Sequence, residues 1–173
     1  MSLDTAERLI RDVPDFPKPG IVFKDIAPLL GDGEAWREVL EAMTAHVGAL
    51  NPDKIAGVES RGFLFCAPLS DRLGTGMVLV RKPGKLPWQT VREQYALEYG
   101  SDAIEIHVDA VQPGERVVIV DDVLATGGTA AATRRLVERV GGVVVGYAFM
   151  VELSFLAGRD RLGGLPVASL YRY

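Results

Sequence analysis

The sequence is poor in the features that mark several large protein classes. It has one cysteine, Cys66, among 173 residues, so no disulfide can form within the chain, and a reducing compartment is expected. Cys66 lies in the apolar run 63–69 and is expected to be a packed, inert thiol. No apolar stretch approaches the roughly 20 residues needed to cross a bilayer. Residues 1–12 mix acids and bases and lack the apolar core of a secretion signal, so a cytoplasmic location is expected. An excess of positive charge is also missing: 19 basic against 23 acidic side chains leave a formal net charge of −4. Such a chain is not built to hold a polyanion over a broad surface, which argues against nucleic acid and membrane surfaces as partners. A local basic pocket can still take a small anion. There is no internal repeat and no low-complexity tract.

What the chain does have is the pattern of one globular domain, with 48% hydrophobic residues. Ala6, Leu9, Ile10 and Val13 give an N-terminal helix an apolar face that Pro14 ends. Residues 16–20 are rich in breakers and read as an ordered loop. Trp36, Val39, Leu40, Met43 and Val47 fall at helical spacing within a helix over 34–50, stopped by Pro52. Further helices are predicted at 63–73 and 127–140, and strands at 55–58, 77–80, 116–120, 143–151 and 167–170. The strands are continuous apolar runs that alternate with helices. That predicts an α/β fold with a mostly parallel central sheet and helices on both faces. Such sheets bind ligands at the carboxyl ends of their strands, which directs attention to the loops after Val58, Val80 and Val120. Residues 82–100 show little core pattern, and a loop of that length inside a compact domain is usually functional. Segments 95–98 and 103–108 flank Gly100 and Ser101 and predict a hairpin.

The segment 117–129 carries the most chemistry. Four β-branched residues form a buried strand, then come Asp121 and Asp122, then Ala125, Thr126, Gly127, Gly128 and Thr129 at the start of a helix. Glycines let the backbone approach a ligand, and the free amides of a first helical turn suit a phosphate. Thr126 and Thr129 add hydroxyl donors. The two carboxylates can accept hydrogen bonds from a sugar diol or hold a hydrated Mg²⁺. Phosphate cradle and diol clamp together describe a ribose-5-phosphate site. No lysine follows the glycines, so this is not a Walker loop.

This stretch resembles the phosphoribosyl pyrophosphate (PRPP) signature of the type I phosphoribosyltransferases. The resemblance implies that fold, with a small N-terminal hood (1–33, carrying the base-binding segment) and a flexible lid hairpin (82–107) on one phosphoribosyltransferase domain, 1–173. It implies that Ser60, Arg61 and Gly62 bind pyrophosphate after the strand ending at Val58, across a Glu59–Ser60 peptide that is a candidate for the cis form. Taken alone, that segment is a helix start with Ser60 as its cap. Arg81, Lys82 and Lys85 put three positive charges beside Gly84 and Pro87, suited to a leaving pyrophosphate. Ribosyl transfer passes through a cation-like sugar carbon that water also attacks, which gives residues 88–101 a reason to form a closing lid. Tyr95, Glu98 and Tyr99 are its candidate contacts.

Residues 16–26, 59–63, 81–87 and 95–100 match the adenine phosphoribosyltransferase family in order and spacing. The resemblance implies that Phe23 stacks on the purine while backbone groups of Val22 and Lys24 read its edge; Lys24 stands where some members carry Arg. It further implies Glu98, Arg61, Asp121 and Asp122 as catalytic residues, with Glu98 the general acid–base, and Asp121 and Asp122 on the ribose and metal-linked side of PRPP. The expected reaction is adenine plus PRPP giving AMP and pyrophosphate, a purine-salvage step that needs Mg²⁺, in a homodimer. Residue chemistry by itself leaves open another base (hypoxanthine, guanine, xanthine or orotate) and a non-catalytic PRPP-binding regulator.

Overall fold

The computed structural model describes residues 2–16, 18–97 and 100–173. The chain forms two compact units, 1–42 and 43–173. In the first, helix α1 (Leu3–Glu7) is followed by strand β1 (Arg11–Pro14) and strand β2 (Val22–Asp25). The predicted N-terminal helix is therefore shorter than its apolar spacing suggested. Val13 pairs with Phe23 and Pro14 with Val22 in an antiparallel ribbon, so strand pairing takes the residues that close the helical pattern. Lys24 Nζ meets Asp12 across the ribbon at 2.6 Å, and Arg11 meets Asp25 at 3.5 Å. Helix α2 (Ala27–Gly31) precedes helix α3 (Gly33–Gly48), which begins in the first unit and ends in the second. Asp32 caps α3 by accepting the amides of Glu34 and Ala35 at 3.0 and 2.9 Å.

The second unit is built on strands β3 (Lys54–Val58), β4 (Gly76–Val80), β7 (Arg116–Leu124), β8 (Val143–Glu152) and β9 (Val167–Arg172), all parallel, in the order β4-β3-β7-β8-β9. From β3 the chain crosses through helix α4 (Gly62–Leu73) to β4 on one side. From β7 it crosses through helix α5 (Gly128–Arg139) to β8 on the other. Parallel crossovers are right-handed, so two that leave in opposite directions put α4 and α5 on opposite faces of the sheet. The strand order reverses between β3 and β7, and a crevice opens at their carboxyl ends.

Side-chain alternation sorts the core. Ala56, Val58, Val78, Val80, Val117 and Ile119 join Leu136 and Val137 of α5 in one buried cluster. Ile55 and Gly57 turn to the other face, where α4 packs: Cys66 Sγ donates to the Ile55 carbonyl at 3.2 Å. A Cβ on Gly57 would stand 2.5 Å from Cys66 Cβ, so only glycine lets α4 settle this closely. The thiol itself is fully buried, and burial pushes its pKa to about 11. The expected inert cysteine is what the structure contains.

Strand β5 (Thr90–Leu97) and strand β6 (Gly100–His107) form the predicted hairpin, with β5 beginning five residues earlier than the sequence pattern indicated. Its base is fixed to α5: Glu93 accepts Arg135 Nε at 2.6 Å and Arg139 Nη2 at 2.5 Å, while Arg139 also reaches the Arg92 carbonyl. Glu105 of β6 exchanges backbone hydrogen bonds with Arg81, joining the hairpin to the segment after β4. No helix among the described residues is long and apolar enough to cross a membrane. Because α4 rests on a bare backbone at Gly57, Gly57→Ala is expected to destabilise the fold by about 1–3 kcal/mol through overpacking. Urea denaturation measures it, and unchanged stability would show that α4 shifts freely.

Candidate active site

Strand β7 outruns its neighbour. Its pairing with β3 stops at Val120, but pairing with β8 continues through Asp121 and Val123 to Leu124. Asp121 and Asp122 are therefore part of the strand and not of the loop after it, as the sequence pattern had suggested. One edge of the strand remains held while the other opens into the crevice. Asp122 is buried and Asp121 half-buried, and the Asp122 amide donates to Asp121 Oδ1 at 2.9 Å. Burial raises the Asp121 pKa well above the usual carboxylate range, and the neighbouring Asp122 charge adds to the effect. Arg61 forms an ion pair with Asp122 across the crevice.

The loop expected to hold a phosphate begins at Ala125. Gly127 is left-handed at φ 78° and precedes the first turn of α5, whose amides have no intrahelical acceptor. Residues Leu124 to Ala130, with Asp121, Val123 and Phe149, enclose a small pocket of ≈ 80 Å³. Another stretch of backbone packs against this loop. A Cβ on Gly127 would run into the Gly158 carbonyl, and one on Gly158 would run into the Ala125 carbonyl. Gly158 lies in a short 3₁₀ turn that Arg159 ties down. Arg159 donates to both carboxylate oxygens of buried Glu152, at 2.7 and 2.6 Å, at the end of β8. Gly158 was not foreseen from the sequence, where a lone glycine in a polar loop carries no signal.

A second, larger space of ≈ 420 Å³ shares Asp121 and Thr129 with that pocket, which is the size of a small-molecule site. Ser60, Arg61, Lys82, Tyr95 and Asp122 line it, with Val58, Glu59, Asp102 and Ile104. The Glu59–Ser60 peptide is cis. Gly62 opens α4 against the strand end, where a Cβ would stand 3.0 Å from Asp121 Oδ1. Arg81 is placed otherwise: its guanidinium donates to Glu59 at 3.0 Å and to the Lys85 carbonyl at 3.1 Å, and neither Arg81 nor Lys85 lines the cleft. Glu59 also accepts the Lys82 amide at 2.9 Å, so it anchors this basic segment to the end of β3.

Asp102, which no sequence motif flags, sits directly across the hairpin from Tyr95. Its Oδ2 takes Lys82 Nζ at 2.5 Å and the Tyr95 hydroxyl at 3.4 Å, and Thr129 Oγ1 donates to that hydroxyl at 3.2 Å. The Asp102 hydrogen bond raises the Lys82 pKa. Burial opposes ionisation of Asp102, yet the Lys82 hydrogen bond prevails and lowers its pKa. Burial raises the Tyr95 pKa, so its hydroxyl stays protonated. Glu98 and Tyr99 lie outside the described residues. Val22, Phe23 and Lys24 all fall on β2 of the first unit, where Phe23 makes an edge contact with Phe16 at 5.3 Å between ring centroids.

A parallel sheet whose order reverses beside a strand–loop–helix turn of this kind places the protein with the phosphoribosyltransferases, and residues 34–161 match the phosphoribosyl transferase domain family. The chain is 57% identical over 171 residues to the adenine phosphoribosyltransferase of Anaeromyxobacter dehalogenans, covering 99% of each. Its backbone matches the crystal structure of adenine phosphoribosyltransferase from Thermoanaerobacter pseudethanolicus with a TM-score of 0.96 at 52% identity, over 99% of this chain and 100% of that one. The Saccharomyces cerevisiae enzyme, solved with adenine and an imino-altritol bisphosphate, matches with a TM-score of 0.92 at 41% identity over 97% of each chain. The chain belongs to the adenine phosphoribosyltransferase family.

The ion pair that supports the glycine-rich loop gives a stability prediction with a defined pH dependence. Hydrogen bonding to Arg159 lowers the Glu152 pKa against the opposing effect of burial. Arg159→Ala should therefore cost about 1–3 kcal/mol at neutral pH. A depressed carboxylate stabilises above its unfolded value, so the gap should shrink as pH falls below about 4.3 and through the lowered folded value. Denaturant melts of both proteins from neutral pH to about pH 3 check this; a gap independent of pH would count against it.

Proposed function

We propose that the protein transfers the 5-phosphoribosyl group of PRPP to adenine, giving AMP and pyrophosphate. The observation that carries this reading is the joining of a phosphate-sized cradle, Ala125 to Thr129, to a cleft with an acid pair and basic side chains. In the reaction, the bond from the ribose anomeric carbon to pyrophosphate breaks and one to a purine ring nitrogen forms. The loop amides and the hydroxyls of Thr126 and Thr129 hold the 5′-phosphate. Asp121 and Asp122 accept the ribose hydroxyls. Ser60, Arg61, Gly62 and Lys82 receive the pyrophosphate, with Arg81 and Lys85 holding that segment in shape. Positioning and charge compensation supply most of the rate. By family resemblance, Val22, Phe23 and Lys24 bind the base, Glu98 takes the proton that the purine loses, and the hairpin carrying Tyr95, Glu98 and Tyr99 closes to exclude water.

The acid pair suits Mg²⁺ as well. Among the described residues no group of three or more His, Cys, Asp or Glu is placed to hold a metal. Mg²⁺ is commonly held by one or two carboxylates plus substrate phosphates, and Asp121 and Asp122 offer hard oxygen donors of that kind. Bound there, Mg²⁺ would neutralise charge on the departing pyrophosphate.

The protein also acts as a homodimer. Apolar side chains stay partly uncovered on the edge strand β4 and on α4: Met77 and Leu79 are 41% and 43% exposed, and Leu64 of α4 is 43% exposed. A second copy covering this strip should give a solution mass of twice the chain by light scattering, and a monomer mass would refute it.

The activity is tested by offering PRPP and Mg²⁺ with each purine and with orotate. AMP from adenine, with little product from the other bases, is the expected result. Product from a different base only would overturn the base assignment, and PRPP binding without any product would make the protein a regulator. Asp122→Ala should lower turnover by on the order of 10- to 100-fold, the scale of one charge-assisted contact, with its melting curve still cooperative. Undiminished turnover would remove Asp122 from the ribose site.

A further inference from the structure

The two cationic side chains that line the cleft are both paired: Arg61 with Asp122 and Lys82 with Asp102. Asp122 sits near the end of β7. Asp102 differs, because it comes from the hairpin and lies in the cleft without a place in the phosphoribosyl site. Its side chain is 23% exposed, and one oxygen, Oδ2, takes both the Lys82 ammonium and the Tyr95 hydroxyl. Through Tyr95 the contact extends to Thr129 of the phosphate loop. Lys82 of the segment after β4 and Tyr95 of the hairpin therefore meet on this carboxylate, and Thr129 joins them through the Tyr95 hydroxyl.

We propose that Asp102 is a positioning residue that occupies, with its own carboxylate, the Lys82 coordination that a pyrophosphate oxygen takes during the reaction. This rests on the reading of Lys82 as a pyrophosphate ligand. Before PRPP binds, Asp102 keeps Lys82 extended into the cleft and compensates its charge. When the pyrophosphate group arrives, the ammonium exchanges one oxygen anion for another. The net gain from that contact is then the difference between two ion pairs and not the whole of one. On the product side the exchange runs in reverse: Asp102 recaptures Lys82 as pyrophosphate leaves and repels the departing anion. Asp102 thus weakens binding at the pyrophosphate end in favour of release.

The test compares Asp102→Asn and Asp102→Glu with the wild type. Asparagine keeps the shape and the acceptor for the Ala103 amide but removes the competing charge; glutamate keeps the charge. Calorimetry with Mg-pyrophosphate should show Asp102→Asn binding about two- to fivefold tighter, the scale of a partly exposed ion pair. Its KM for PRPP should fall by a similar factor while kcat does not rise. Asp102→Glu should stay near the wild type. The asparagine effect should vanish when Lys82→Ala is added, which separates the exchange from a general change of cleft charge. Unchanged or weaker pyrophosphate binding in a cooperatively folding Asp102→Asn overturns the proposal, as does tightening that persists without Lys82. Should Lys82→Ala alone leave pyrophosphate affinity intact, the assignment of Lys82 itself fails, and the exchange with it. Absence of any AMP formation by the wild type would instead refute the functional reading.

Discussion

Two parallel crossovers leave adjacent strands in opposite directions, and much of the second unit follows from that constraint. Because β3 continues to β4 and β7 continues to β8, no connection covers the carboxyl ends of the central pair. Side chains leaving those ends face one another across a gap: Arg61 from one, Asp121 and Asp122 from the other. The close packing of α4 on Gly57 and of Gly62 against Asp121 sets the width of that gap. The longer pairing of β7 with β8 keeps the acid pair rigid, where a loop would have let it wander.

The second theme is charge held in balance. A site for a polyphosphate ester needs cations, yet an unpaired cation in a partly buried cleft is costly. Here the basic side chains at the cleft rest on carboxylates, and the acid beside Asp122 carries a raised pKa that eases the crowding of two like charges. The same economy holds outside the cleft, where Glu93 gathers two arginines and fixes the hairpin's base to α5. The hairpin is thus anchored at its root to the helix that the glycine-rich loop opens.

Much of this was legible in the sequence. Continuous apolar strands alternating with helices announced a parallel sheet, and the run from Asp121 to Thr129 announced a strand end followed by a glycine-rich loop that opens a helix, because both signals are local. The features that escaped are set by partners distant in the chain. Asp102 gains its place only when the hairpin folds it opposite Tyr95 and beside Lys82. Gly158 matters only because another backbone passes within contact of it. Asp121 and Asp122 read as a turn because periodicity cannot show that β7 loses one neighbour while keeping the other. The N-terminal residues failed for the same reason: a helical spacing from Ala6 to Val13 yields to strand pairing with Val22 and Phe23.

The buried thiol of Cys66 has a practical consequence. It is the only cysteine in the chain, it is fully covered by α4 and β3, and its pKa of about 11 keeps it protonated near neutrality. Thiol reagents attack thiolates at accessible sites, so the native protein is silent to them. A single cysteine introduced on the hairpin would take a fluorophore there and nowhere else, without removal of any native residue. The chain needs no background mutation before site-specific labelling.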